Sequence, residues 1–303
     1  MYLKPRAVSN ELEILRSLNI RMNLPAKDRK HYLNLEKGYQ GEAIFDQLTA
    51  KLQCDVYILN DLCFEFNRSV FQIDTLIISQ NTIFPIEIKN YEGDYHYDPE
   101  VFRRVSSNYE ITNPLDQLKR SMTLLRSLLK FHGIHQPIEG YVTFVNPEFT
   151  LYQAPLNTSM ILPTQLNRFN KTLNEMTSKL SNQHKKLADL LISLHQTESP
   201  YTRLPTYNYE HLKKGISCIS CYSYEVAVIA EKKIVCDKCS CVEDVNSAVL
   251  RNVEELKTLF PDKKLTTTRV HEWCKVIKSK KTIRRILIQN LRSVGESHLR
   301  YFV

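Results

Sequence analysis

The sequence predicts a modular α/β chain: a mixed sheet flanked by helices, then a small cysteine-rich hairpin, then a trihelical unit. Three observations predict it. Two consecutive runs rich in β-branched and aromatic residues, Val70–Ile78 and Ile83–Lys89, are followed by an amphipathic helical pattern and a further apolar run at Gly140–Val145, the strand and helix order of a mixed sheet. Two C-x-x-C pairs, Cys218/Cys221 and Cys236/Cys239, are separated by 14 residues. Beyond them, apolar side chains recur at helical spacing in three short segments.

The first two runs, joined by the turn residues Ser79–Thr82, read as an antiparallel hairpin, yet they carry Asp74, Glu87 and Lys89. Alternation along a strand puts Glu87 and Lys89 on one face and Ile86 and Ile88 on the other, with Asp74 on the neighbouring strand. Charges in a half-buried strand are costly unless paired or bound to a metal. Two carboxylates beside a lysine suit a Mg²⁺-dependent phosphodiesterase: Asp74 and Glu87 supply oxygen ligands, the Ile88 carbonyl a third, and Lys89 orients water or offsets charge on the phosphate. For an isolated E-x-K, a structural Glu–Lys pair on a solvated face is the commoner reading. The surroundings add more polar residues. Gly38–Ala43 opens a helical pattern through Ile44, Phe45, Leu48 and Leu52, which places Glu42 in a first turn, where the helix dipole favours a carboxylate. Asn113-Pro114 starts a second helix and puts Gln117 early in it.

These pieces resemble the nuclease-related domain (NERD) family, a branch of the PD-(D/E)xK restriction-endonuclease-like superfamily. The matching segments, in the family's order, are Gly38-x-x-Gly41-Glu42, Leu59-Asn60-Asp61, Phe71-Gln72-Ile73-Asp74, Ile86-Glu87-Ile88-Lys89-Asn90-Tyr91 with Gly93, and Asn113-Pro114-x-x-Gln117. The resemblance covers about residues 30 to 150. It implies a restriction-endonuclease-like sheet, a nuclease centre made of Glu42, Asp74, Glu87, Lys89 and Gln117 with Mg²⁺ or Mn²⁺ as cofactor, and a bacterial setting.

With 303 residues the chain is long enough for two or three cores. Its 43% hydrophobic and 24% charged content is ordinary for a globular protein. No basic-then-apolar leader and no long uncharged apolar window appear, which predicts a cytosolic chain without membrane association. The net charge of +8 is concentrated: residues 251 to 303 hold 13 Lys or Arg against 5 Asp or Glu, and 13 − 5 gives the whole +8. A basic balance confined to one end points to a polyanion partner, here nucleic acid and foremost DNA.

The stripe Leu180, Leu187, Leu190, Leu191 and Leu194 predicts a helix from about 178 to 195 that closes the first domain. His184 and His195 on it have no obvious acid partner. The proline-containing stretch 197–206 reads as a linker. The paired C-x-x-C turns then predict a zinc ribbon with Zn²⁺ on Cys218, Cys221, Cys236 and Cys239, and with strands at 224–229 and 233–235. A disulfide pair or a redox motif competes with this reading, and Cys241 competes with Cys239 as fourth ligand. Six of the eight cysteines lie beyond residue 217, which in a cytosolic chain favours structural metal. Three helices follow, at 247–260, 267–277 and 279–291. The last buries Ile283, Ile286, Leu287 and Leu291 and turns Lys281, Arg284, Arg285, Gln289 and Arg292 outward, as the recognition helix of a helix-turn-helix would. Residues 299–303 supply a terminal strand, as in a winged variant.

The expected organisation is a nuclease-like domain over 1–196, a linker over 197–212, a zinc ribbon over 213–243 and a basic helix-turn-helix-like domain over 244–303. The expected activity is metal-dependent hydrolysis of phosphodiester bonds. The alternative is a non-catalytic DNA-binding regulator or scaffold with an inactive nuclease-like domain.

Overall fold

Apolar-rich runs buried on both faces build a six-stranded mixed sheet in the computed structural model. It describes all residues except 99–100, 157–158, 198–201 and 297–298. In chain order the elements are β1 (Tyr2–Lys4), α1 (Asn10–Arg21), α2 (Ala26–Thr49), β2 (Tyr57–Phe66), β3 (Ser69–Ile78), β4 (Ile83–Lys89), β5 (Gly93–Tyr97), β6 (Phe102–Arg104), β7 (Tyr109–Ile111), α3 (Pro114–Phe131), β8 (Tyr141–Phe144), β9 (Phe149–Tyr152), β10 (Met160–Ile161), α4 (Leu166–Glu175) and α5 (Asn182–Leu194). The C-terminal third adds β11 (Val226–Ile229), β12 (Lys233–Cys236), β13 (Val242–Asp244), α6 (Val245–Leu259), α7 (Thr267–Cys274), α8 (Lys280–Asn290), β14 (Ser293–Val294) and β15 (Tyr301–Phe302).

Two compact units result, one formed by residues 1–8 and 34–202, the other by 9–33 and 203–303. In the first, the sheet order is β1-β2-β3-β4-β8-β10. The β2–β3 and β3–β4 pairs are antiparallel, whereas β1–β2, β4–β8 and β8–β10 are parallel. The hairpin turn between β3 and β4 is closed by Ser79 and Thr82, whose backbone and side-chain groups bond one another at 2.9–3.2 Å. One sheet face packs Leu59, Leu62, Ile73, Leu76 and Ile78 on Leu125 and Leu129 of α3 and Leu187 and Leu191 of α5. The other packs Ile58, Ile77, Ile86 and Ile88 on Phe45 of α2 and Phe169 and Leu173 of α4. Strands β5, β6 and β7, inserted between Lys89 and Asn113, join β9 in a smaller sheet of order β7-β6-β5-β9.

Regular alternation breaks in the middle of the β2–β3 pair. Leu59 and Leu62, like Ile73 and Leu76, line the same core although three positions separate the members of each pair. Register runs Asn60↔Thr75 and then Leu62↔Ile73, with Asp61 and Asp74 between them left out of the ladder. Asp61 is left-handed at φ 51°. Both strands therefore change face at these two aspartates, the behaviour of a bulged, bent ladder.

The helix carrying Glu42 begins earlier than its sequence pattern indicated. It runs for 24 residues from Ala26, so Glu42 stands in its second half and not in a first turn. The dipole rationale for Glu42 falls away, because the two glycines that suggested a helix start lie inside the helix. Gly41 is there because α2 crosses Asn90 closely: a Cβ at Gly41 would stand 2.5 Å from the Asn90 Cβ. Similarly, α5 starts at Asn182, with α4 as a separate helix ahead of it, where one helix from 178 was expected.

In the second unit, β11-β12-β13 form an antiparallel ribbon whose tip residues Ala230 and Glu231 both take positive φ, at 49° and 58°. Helices α6, α7 and α8 share one core built on Val249, Val253, Trp273, Ile283 and Leu287. Two expectations are corrected here. Helix α1 belongs to this unit, since Ile14 and Leu18 enter its core, so a boundary at 196/197 does not separate the chain into domains. The stretch expected to be a linker over 197–212 is only partly one: Tyr209 and Leu212 are buried in the same core, while residues 198–201 lie outside the described residues. What ties α1 in is Arg21. Its buried guanidinium donates to Glu255, to Asn252 Oδ1 at 2.8 Å and to the Lys213 carbonyl at 2.7 Å, and lies 3.9 Å from the Trp273 ring centre. As one of two arginines in an amphipathic helix, Arg21 gives no sequence signal for such a role.

The two glycines of α2 give opposite expectations. Gly38 has open space around its Cα, so Gly38→Ala should stabilise by about 0.5–1 kcal/mol, the usual gain in a helix. Gly41→Ala meets Asn90, and the overpacking cost of about 1–3 kcal/mol should outweigh that gain. Denaturant midpoints of the two variants check the pair.

Candidate functional site

The cluster forms where β3 and β4 stop pairing. Their ladder ends at Thr75↔Ile86, and the next amide on β4, that of Ile88, would lack a partner on this side. The Ile88 N–H instead donates to Asp74 Oδ2 at 2.7 Å. Because the N–H and C=O of a strand residue point to the same edge, the Ile88 carbonyl also faces Asp74. Glu87 and Lys89 project from the opposite face to Ile86 and Ile88, as alternation predicts. Lys89 Nζ donates to Glu87 Oε1 at 2.7 Å and to Gln117 Oε1 at 3.0 Å. Gln117 is placed by the start of α3, where the Asn113 side chain accepts from the Leu115 N–H at 3.0 Å and Pro114 begins the helix. The glutamine thus touches the ammonium group and not the acids.

Burial and mutual repulsion set the charge states. Glu42 is raised to about 8, by burial first and by the charge of Asp74 second, with Arg6 opposing. Glu87 is raised to about 7 by the same two causes, opposed by Lys89. Asp74 is also raised, chiefly by burial. For Lys89, burial favours the neutral amine, but Glu87, Tyr91 and Asp74 outweigh it and hold the group charged.

The structure therefore brings Asp74, Ile88, Glu87, Lys89 and Gln117 together, and Glu42 reaches them through its electrostatic coupling to Asp74. Sequence reasoning missed three members. Arg6 bonds Glu42 at 3.0 Å, Asp46 through two nitrogens at 2.8 and 3.1 Å, and Asp61. Nothing around Arg6 in the sequence marks it. For Asp61 the available signals were a polar pair, Asn60-Asp61, within the apolar run Tyr57–Phe64, and the family-like segment Leu59-Asn60-Asp61. The donor set fits a hard divalent cation: carboxylate and carbonyl oxygens, more acids than bases, and acids pushed toward their protonated forms by burial first and mutual repulsion second.

A second cluster lies in the ribbon. The sulfurs of Cys218, Cys221, Cys236 and Cys239 all lie within 4.8 Å of one another. Cys218–Cys239 and Cys221–Cys236 are 3.6 and 3.5 Å apart, far beyond a disulfide bond and near the roughly 3.8 Å edge of a tetrahedron with metal–sulfur bonds of about 2.3 Å. The two C-x-x-C turns are built alike. Tyr222 and Ser240, each following the second cysteine, take φ near +58° and donate back to Cys218 O and Cys236 O. Cys241 is outside the cluster, its carbonyl accepting from the Cys236 N–H.

On α8, Lys281, Arg284, Arg285 and Gln289 are exposed, and the three basic residues form no ion pair among the described residues. Ser279 caps the helix through Thr282 N–H at 3.3 Å. Arg292 is not on this face, because α8 ends at Asn290 and the Arg292 backbone pairs with Val303 beside β14 and β15. His184 and His195 are structural: one bonds the Gln80 carbonyl, the other accepts from the Cys63 N–H. No helix among the described residues is long and apolar enough to cross a membrane.

Residues 37–145 match the family model of the nuclease-related domain, a segment of a little over a third of the chain that contains all five proposed nuclease residues. No curated protein and no solved structure matches the chain.

Unfolded glutamate titrates near 4.5, so between about pH 4.5 and about pH 8 the folded chain holds protons at Glu42 and Glu87 that the unfolded chain has lost. Stability should therefore fall as pH rises through that window without added divalent cations, and Glu42→Gln should flatten the fall; melting curves across pH check both. For the ribbon, metal analysis should find a single zinc ion per chain that is lost in Cys239→Ser and retained in Cys241→Ser.

Proposed function

We propose that this chain is a divalent-metal-dependent nuclease that hydrolyses phosphodiester bonds in DNA, and that its C-terminal zinc ribbon and winged helix-turn-helix bring it to the substrate. The observation that carries the reading is Lys89. It is a half-buried lysine kept charged beside two carboxylates, within the segment similar to the nuclease-related domain. The meander β2–β3–β4, helix α3 and the parallel strand β8 support a restriction-endonuclease-like core.

In this reading Asp74, Glu87 and the Ile88 carbonyl hold Mg²⁺ or Mn²⁺, whose contribution when bound is Lewis-acid stabilisation of charge on a phosphoryl oxygen and acidification of water. The protein's own groups do the rest. An ammonium group has three N–H donors. Lys89 spends one on Glu87 and one on Gln117, which fixes the direction of the third toward a phosphate oxygen or the attacking water. Gln117 thus positions Lys89 without contacting substrate. Asp74 Oδ2 is committed to the Ile88 N–H, so Oδ1 is its free ligand atom. Glu42 completes the acidic surround. In the second unit, Lys281, Arg284 and Arg285 supply phosphate contacts, and Gln289 supplies a base-edge contact.

Incubation of plasmid and single-stranded DNA with Mg²⁺ or Mn²⁺ tests the assignment. Wild type should cleave, Asp74→Ala and Lys89→Ala should lose about 10²–10⁴-fold in rate, and Gln117→Ala about 10–100-fold. Cleavage unchanged in the Asp74 and Lys89 variants would remove the catalytic assignment. Salt-sensitive DNA binding without cleavage by any form would make the chain a regulator.

A further inference from the structure

Outside the family match, Arg6 is the most completely bonded charged group among the described residues of the sheet unit. All its donor nitrogens are engaged. Nε donates to Asp46 Oδ2 at 2.8 Å, and Nη1 to Glu42 Oε2 at 3.0 Å and to Asp61. Nη2 donates to Asp46 Oδ1 and the Asp74 carbonyl at 3.1 Å each, and to Thr75 Oγ1 at 3.0 Å. Its side chain is 4% exposed. Two-metal phosphodiesterases place a second ion about 3.5–4 Å from the first to balance converging carboxylates. Here a guanidinium already stands among three of them and bonds the backbone of Asp74, the fourth.

The charges can be counted. Glu42, Asp46, Asp61, Asp74 and Glu87 contribute five negative charges when ionised, and Lys4, Arg6 and Lys89 three positive. The balance, 3 − 5 = −2, is neutralised by one divalent cation. We propose that Arg6 is a built-in substitute for a second metal ion, so that the site binds a single divalent cation at Asp74 and Glu87. Arginine suits the task because it never deprotonates and its planar fork fits a carboxylate bidentately, as it does at Asp46. The proposal rests on the metal-dependent reading above.

Mn²⁺ titration of the zinc-loaded full chain, read by calorimetry and by the electron paramagnetic resonance of free Mn²⁺, separates the two. Wild type and Arg6→Lys should bind one Mn²⁺ per chain, while Arg6→Ala, with folding checked by circular dichroism and zinc content, should bind two. Adding Glu42→Gln to Arg6→Ala should weaken the second ion at least tenfold. Two ions in wild type would overturn the role of Arg6 and leave the nuclease reading standing. One ion in a folded Arg6→Ala would overturn it as well. No ion in wild type would remove the metal-dependent reading itself. Should Arg6→Ala fail to fold, the wild-type and Arg6→Lys counts still decide between one ion and two.

Discussion

The break in the β2–β3 ladder at Asp61 and Asp74 is the constraint on which the site depends. A sheet that skips a pair must find other partners for the backbone groups it releases, because a buried unpaired amide or carbonyl costs about 1–3 kcal/mol. Here side chains from the first six residues supply them. Lys4 Nζ donates to the carbonyls of Asn60 and Asp61 at 2.7 and 3.0 Å, and Arg6 to the carbonyl of Asp74 at 3.1 Å. On the β4 side, Asp74 itself satisfies the Ile88 N–H. The irregularity that gathers the carboxylates is thus closed by the residues that neutralise them.

That coupling explains why so many acids persist in one place. Glu42, Asp61, Asp74 and Glu87 are disfavoured by burial, and Glu42, Asp61 and Glu87 are disfavoured further by Asp74. Arginine and lysine offset the repulsion without removing it. An arrangement that leaves acids short of positive charge gains little stability from them. It is instead poised to gain from a cation that arrives later, because ligand binding to the folded state alone adds stability by mass action.

Much of this was legible in the sequence where chemistry is local. The Ser79–Thr82 hairpin, the Asn113-Pro114 helix start and the two cysteine turns each depend on a few neighbouring residues, and the structure forms them in place. The same holds for Glu87 and Lys89, because strand alternation alone puts them on one face. What escaped were features set by distant contacts. Gly38 and Gly41 looked like a helix beginning, but Gly41 records the passage of Asn90. Arg6, Arg21 and the membership of α1 in the C-terminal core depend on partners dozens to hundreds of positions away. Arg292 fell off the basic face because α8 stops at Asn290, and an apolar Leu291 looks the same to a periodicity argument inside a helix or just past it.

The two units share a device despite their different folds. Each has an acidic centre closed by a buried arginine from the first 21 residues: Arg6 against Glu42, Asp46 and Asp61, and Arg21 against Glu255. Removing one partner of such a buried pair costs about 3–5 kcal/mol, since the acids left behind have neither water nor counter-charge. In the C-terminal unit the cost extends to packing, because the Arg21 guanidinium also covers the face of Trp273. The segment that carries the family likeness begins at residue 37, so a fragment cut to that likeness would keep every proposed nuclease residue while losing the arginine that balances them. The stretch ahead of the match is therefore part of the electrostatic design of both units, and the reach of the functional site exceeds the reach of its motif.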